Sequence, residues 1–293
     1  MKLWFSTTFL LALSFFPAGF AQAATPDPEG DAAIDALVTK LEKLVLYHPR
    51  KYAAGVIERF VAEHGQRLDY ATSQGKQTAW LILPTGGGAP EKLWLVCPGN
   101  GTLALELAPV FRNEAFHSDA CLLLDYPGYG ESTGDPSPVS IRENLKAATL
   151  LAAQNLHLKA DELPGRVCAF GHSLGAAAAL LAVQEFHLRS VVLCAPFSST
   201  QEMAQRRFHT TRQLPLQHLY NNRDGLAALE KDHGHAWILH GSDDGVIPSS
   251  MSETLAREFP NTITLKILPH AGHNDFFRDG AKELMTAIAA ARK

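Results

Sequence analysis

A chain of 293 residues with 46% hydrophobic and 19% charged side chains has enough apolar material for a large core, and an α/β domain of this size commonly remains one domain. The formal net charge of −4 and a scatter of basic residues in which Arg206-Arg207 is the one arginine pair exclude a nucleic-acid binder, which needs a basic patch with interleaved aromatics. No internal repeat or low-complexity tract is present.

Lys2, the apolar stretch from Leu3 to Phe16 and the small residues Ala21-Gln22-Ala23 follow the order of a secretory signal. Residues 1–23 are therefore expected to be removed after Ala23, giving an exported protein, periplasmic or secreted, with no stable membrane insertion. The apolar stretch is short for a membrane span, and no Cys near the cleavage site offers lipid attachment. In the segment 24–65, Ile34, Leu37, Val38, Leu41, Leu44 and Val45 recur at spacings of three and four. That period predicts an amphipathic helix from Asp31 to Leu46 packed on the body of the domain, with Asp35, Thr39, Lys40, Glu42 and Lys43 on its polar face. A second short helix is expected over Ala53–Ala62.

Residues 67–72 and 78–83, separated by Ser73-Gln74-Gly75-Lys76, read as an antiparallel hairpin opening the sheet. Leu93–Cys97 is an apolar strand ending in Pro98-Gly99-Asn100-Gly101. Ala120–Asp125 is a buried strand followed by a Gly-rich turn, and Ser140 with Glu143 three residues later predicts a capping box at the head of a helix over residues 139–156. Next comes Gly171-His172-Ser173-Leu174-Gly175, between the apolar run 166–170 and an Ala-rich stretch. Strand, sharp turn and helix are the setting of a nucleophile elbow. The turn strains its central residue and brings strand and helix close, which accounts for Gly at 171 and 175 and is expected to leave the Ser173 hydroxyl exposed.

A serine hydroxyl is a poor nucleophile until a histidine takes its proton and a carboxylate orients that histidine. Strand 236–239 runs into a loop with the acidic pair Asp243-Asp244, and strand 262–268 runs into a loop offering His270 and His273. The order Ser, Asp, His along the chain suits an elbow of this kind.

On these motifs the chain resembles the α/β-hydrolase superfamily over roughly residues 66–290, and is similar to its short-lid serine hydrolases, which include carboxylesterases, thioesterases and aminopeptidase-like members. The resemblance implies an α/β fold with a mostly parallel central sheet of about eight strands flanked by helices. The family's acid loop, His-Gly-x-x-Asp-x-x-Val/Ile-Pro, is matched by His240, Gly241, Asp244, Ile247 and Pro248, which selects Asp244 over Asp243. Its base follows a Gly, as His273 follows Gly272. Ser173, Asp244 and His273 are thus the expected catalytic residues. The oxyanion hole is expected from the backbone N–H of Leu174, at the head of the elbow helix, and of Asn100 in the earlier loop, with Gly101 as an alternative donor. Pro98 stands where the family usually has His. Asp125, which lies before Ser173 in a turn the family shares, is read as structural and placed on the strand beside the elbow strand.

The four cysteines, Cys97, Cys121, Cys168 and Cys194, all fall in expected core strands and are read as free thiols. Thirteen histidines, with His233 and His235 one residue apart and His209 and His218 before them, form no ligand motif, so neither metal nor cofactor is expected. About forty residues between Ala195 and Ala236 are expected to supply a short helical lid, over residues 197–234, above a fairly open apolar pocket. The expected activity is hydrolysis of a small-molecule ester or thioester through an acyl-enzyme. A peptidase or amidase on the same residues is the alternative, and a noncatalytic binding protein the more distant one.

Overall fold

The computed structural model describes residues 28–293, and the expected signal segment lies outside them. In chain order the elements are α1 (Pro28–Leu46), α2 (Val56–Ala62), β1 (Gln66–Thr72), β2 (Gly75–Ile82), β3 (Leu93–Cys97), α3 (Ala108–Phe111), β4 (Ala120–Leu124), α4 (Pro138–Asn155), α5 (Leu163–Arg166), β5 (Val167–His172), α6 (Leu174–Phe186), β6 (Ser190–Cys194), α7 (Thr200–Arg207), α8 (Asn222–Lys231), β7 (His235–Gly241), α9 (Ser249–Glu258), β8 (Ile263–Leu268) and α10 (Ala281–Ala291). The strands form one eight-stranded sheet in the order β1-β2-β4-β3-β5-β6-β7-β8. β2 runs antiparallel to both β1 and β4, and all other pairings are parallel. β3, β4 and β5 are buried along their whole length, as unbroken apolar strands covered on both faces must be. The edge strands β1 and β8 alternate between covered and exposed positions.

This order creates the place for a site. From β3 the chain steps outward to β4 and then returns to β5 on the other side of β3. The loops leaving β3 and β5 therefore diverge to opposite faces and open a crevice at the carboxyl ends of the strands. The same order corrects one expectation: Asp125 follows β4, which β3 separates from β5, so it is not beside the elbow strand. Its carboxylate is buried and accepts from Tyr52 Oη at 2.6 Å, Trp80 Nε1 at 2.8 Å and Ala104 N at 3.0 Å, which makes it a structural tie.

Helices α4, α6, α8 and α9 contribute to the core on one face of the sheet, and α2, α3 and α10 to the core on the other. α8 packs on α6 with Gly225 against Leu180. α8, which falls within the expected lid of 197–234, packs in the flanking layer against α6. The hairpin turn is also tighter than expected. Thr72 pairs with Gly75, leaving Ser73-Gln74 as a two-residue turn with Gly75 at φ +92°. α4 begins at Pro138, one residue before the expected start, and its cap is Ser137 in place of Ser140: the two are bonded reciprocally, while Glu143 accepts from Ser73 of the hairpin. All four cysteines are free and buried, and burial pushes the Cys168 thiol up to about 12.

The abundance of histidine has a backbone explanation. Of the eight non-glycine residues at positive φ among the described residues, six are His64, His157, His187, His209, His233 and His270. The first five follow the ends of α2, α4, α6, α7 and α8, where the chain leaves a helix through the left-handed region that His tolerates better than most residues. Among the described residues no group of three or more His, Cys, Asp or Glu gathers as a metal site.

α1 lies against the segment after α7. Arg212 pairs with Asp31 and Asp35, and Tyr47 Oη bonds Tyr220 Oη at 2.9 Å. Its covered face differs from the periodic one. Leu44 and Val45 are exposed, at 64% and 52%, and Glu42 is buried at 7%. The reason is polar: the Glu42 carboxylate accepts the backbone N–H groups of Gln217 at 2.9 Å and His218 at 2.7 Å.

Candidate active site

The elbow has the strain its sequence implies. Ser173 sits at φ 56°, ψ −119° between the end of β5 and the first residue of α6. Both glycines are required by close approach: a Cβ on Gly171 would overlap the backbone of Gly175 and Ala176, and one on Gly175 would overlap the carbonyls of Cys97 and Pro98. Ser173 N donates to Cys194 O at 2.9 Å, which pins the turn to the next strand. As a whole residue Ser173 is only 9% exposed. A groove of about 660 Å³ between α7 and α9 and a cleft of about 290 Å³ beside α6 are lined by none of Ser173, Asp244 and His273, so neither is the open apolar pocket expected over the serine.

Asp244 and His273 are in contact. His273 Nδ1 lies 2.7 Å from Asp244 Oδ2, and since an ionised carboxylate only accepts, Nδ1 carries the proton and Nε2 keeps its lone pair. The other oxygen, Oδ1, accepts from Val246 N and Ile247 N, each at 2.8 Å. Burial pushes the Asp244 carboxyl up, but hydrogen bonds from His240, His273 and the Ile247 amide outweigh it and hold the group well below the usual carboxylate range. The rival acid and base are solvent groups: the side chain of Asp243 is 60% exposed and that of His270 92%. The acid and base loops are locked to each other, because Gly241 packs so closely on Ala271 that a Cβ there would strike its carbonyl.

Two histidines outside the expected catalytic set support this pair. His240 Nε2 faces Ile247 O at 2.8 Å and Asp244 Oδ2 at 3.3 Å, while its Nδ1 meets Ser252 Oγ at 2.6 Å. The Ile247 carbonyl only accepts, so Nε2 carries the proton and Ser252 Oγ donates to Nδ1. Nothing in the sequence marks Ser252, a residue of α9, as a partner. His172, the residue before Ser173, donates from Nε2 to the His273 carbonyl at 2.9 Å, with the two rings 4.9 Å apart. This contact ties the base loop to the elbow.

Burial, and secondarily the nearby His273, push the His172 imidazole down to about 3. In the unfolded chain it returns to about 6.5. Between those values the unfolded state binds the additional proton, so stability rises with pH there and is lost as pH falls from about 6.5 toward 3. Urea unfolding at pH 7.5 and pH 5 should show this loss, and His172→Gln, which keeps a donor but no titrating ring, should show a smaller difference between the two.

The loop after β3 lies across the elbow. Gly99 packs on His172, and the Cys97 and Pro98 carbonyls border Gly175, which sets Asn100 beside the head of α6, where Leu174 is the first residue. Tyr126 Oη donates to Pro98 O at 2.7 Å. Tyr129 Oη accepts from His48 N at 2.7 Å, and burial pushes its phenol up to about 12.

A mostly parallel eight-stranded sheet with a strained serine at the turn from β5 to α6 defines an α/β-hydrolase fold. The chain matches the model of the Alpha/beta hydrolase family over residues 80–226 and belongs to that family. It is 32% identical over 202 residues, 67% of each chain, to the uncharacterized protein Rv2307c of Mycobacterium tuberculosis. It is 26% identical over 239 residues, 80% of this chain and 78% of the other, to the uncharacterized protein YfhR of Escherichia coli K12. Among solved structures, the Pyrococcus furiosus esterase Pf2001 is similar in fold, with a TM-score of 0.62 at 13% identity over 84% of this chain and 96% of that one.

Proposed function

We propose that this protein is a serine hydrolase that cleaves carboxylic ester or thioester bonds through an acyl-enzyme. The observation that carries this reading is the 2.7 Å contact between buried Asp244 and His273, tied through His172 to a strained serine at the head of α6. Ser173 Oγ attacks the acyl carbon as its proton passes to His273 Nε2, and the oxygen that gains charge is held by Asn100 N–H and Leu174 N–H. His273 then protonates the departing alkoxide or thiolate. Water attacks the acyl-enzyme by the reverse proton path, releasing the acid and restoring Ser173. Asp244 stays ionised throughout and stabilises the imidazolium. No cofactor enters this scheme.

The test is a p-nitrophenyl ester series from acetate to palmitate, run beside a p-nitroanilide panel, with labelling by a fluorophosphonate. Ester turnover with labelling at Ser173 is the expected result. Turnover confined to anilides would replace the reading with a peptidase, and silence in all three would leave a noncatalytic member of the family. We also propose export through removal of residues 1–23, which sequencing the N-terminus of the mature protein tests.

A further inference from the structure

We propose that Arg50 is a positioning residue that holds the oxyanion loop from outside the sheet, with Glu106 as its anchor. The inference rests on the reading of Asn100 N–H as an oxyanion donor and extends the site to a segment beyond the family match, which begins at residue 80.

The need for such a device is written in the loop itself. Asn100 stands between Gly99 and Gly101, and Gly101 is at φ +73°. Two glycines around one amide leave that peptide free to turn, and a turned peptide would present a carbonyl where a donor is needed. The loop must therefore be gripped by its neighbours. Tyr126 holds the Pro98 carbonyl before Asn100. The segment linking α1 to α2, with the last turn of α1, holds Asn100 itself and Gly101 after it. Val45 O accepts from Asn100 Nδ2 at 2.9 Å, and Arg50 Nη1 donates to Gly101 O at 2.7 Å.

Arg50 is itself held in place. Its guanidinium makes a two-pronged pair with Glu106, Nη1 to Oε2 at 3.0 Å and Nη2 to Oε1 at 2.9 Å. The same Oε2 accepts from Leu103 N at 3.0 Å, closing the loop back on itself. Arg50 O accepts from Gly130 N at 2.8 Å, which anchors its backbone to the turn after β4. The planar fork thus spans three points at once: the carbonyl following Asn100, the Glu106 carboxylate farther along the chain, and through it the Leu103 amide. The side chains of Arg50 and Glu106 are 51% and 33% exposed, so as an ion pair they add little to stability. Their consequence should fall on the geometry of the Asn100 amide.

Arg50→Ala, Arg50→Lys and Glu106→Gln in the full chain test this, with ester kinetics, fluorophosphonate labelling rate and thermal melting measured on each. Loss of one oxyanion donor costs about 10²- to 10³-fold, and loosening it should cost less. The expected result for Arg50→Ala is a fall in kcat of about 10- to 50-fold, with KM held within about threefold. The labelling rate should fall in parallel, because the phosphonyl oxygen uses the same donors, and melting should shift by no more than about 2 °C. Arg50→Lys should recover part of the loss, since it restores a single donor to Gly101 O, and Glu106→Gln should lose less than Arg50→Ala. Unchanged kcat and labelling in Arg50→Ala would overturn the proposal while leaving the esterase reading intact. A loss confined to KM, or one that follows lowered melting across the variants, would overturn it as well by showing a merely structural pair. A wild-type protein silent to both esters and probe would bring down the esterase reading and this inference together.

Discussion

Replacing Ser173 by Ala is expected to lower ester turnover by about 10⁶-fold, and replacing Asp244 by Asn by about 10⁴-fold, while Asp243→Asn leaves it within about twofold. The ranking follows from what each side chain touches. Without Ser173 Oγ no acyl-enzyme forms, and what remains is attack by water in a site that still holds the oxyanion. Asp244→Asn keeps the shape of the side chain, but an amide donor facing His273 Nδ1, now at 2.7 Å from Oδ2, drives the ring to the tautomer with its proton on Nε2, which cannot accept from serine. It also removes the charge that stabilises the imidazolium. Asp243 differs because its side chain points to solvent, with Ser242 Oγ and the exposed His270 as its neighbours. Kinetics with a p-nitrophenyl ester, with circular dichroism to verify folding, measure all three. A damaging Asp243→Asn beside a mild Asp244→Asn would reverse the assignment of the acid.

The second large effect is on the fold. Gly175→Ala is expected to cost more than about 3 kcal/mol or to prevent soluble expression. A methyl at residue 175 would overlap the carbonyl of Cys97 and lie 2.5 Å from that of Pro98. Both obstacles are main chain, so neither can move aside by a rotamer change. Relief requires α6 to part from β3, separating Leu174 from the Asn100 loop, so any protein that does fold should also lose turnover. Gly245→Ala is the control. It lies in the acid loop, at no positive φ and with nothing within 4 Å of the added methyl, and should change stability by no more than about 0.5 kcal/mol. Thermal melts of the two variants against wild type decide the matter, and equal melting points would refute the close-packing argument.

The sequence by itself determined the features in which a residue type answers to its own few neighbours. Unbroken apolar runs became buried strands, as at β3, β4 and β5. Gly171, Ser173 and Gly175 specified an elbow because only their backbone and size fit that turn. Spacing alone left Asp243 and Asp244 both open, and His270 and His273 likewise. The family motifs chose between them, and the structure shows what separates the members of each pair, namely burial and a shared hydrogen bond.

Tertiary structure decided whatever depends on partners distant in the chain. Periodicity put Glu42 on a solvent face, yet it is buried because it accepts two amides some 175 residues away, and no local pattern records them. Strand order, which places β3 between β4 and β5, comes from the crossovers and carries no signature within any strand. The covering of Ser173, the Ser252-His240 support of Asp244 and the grip of Arg50 on Gly101 have the same origin. Residue type determines what a side chain can bond; where the chain crosses itself determines which of those bonds it makes.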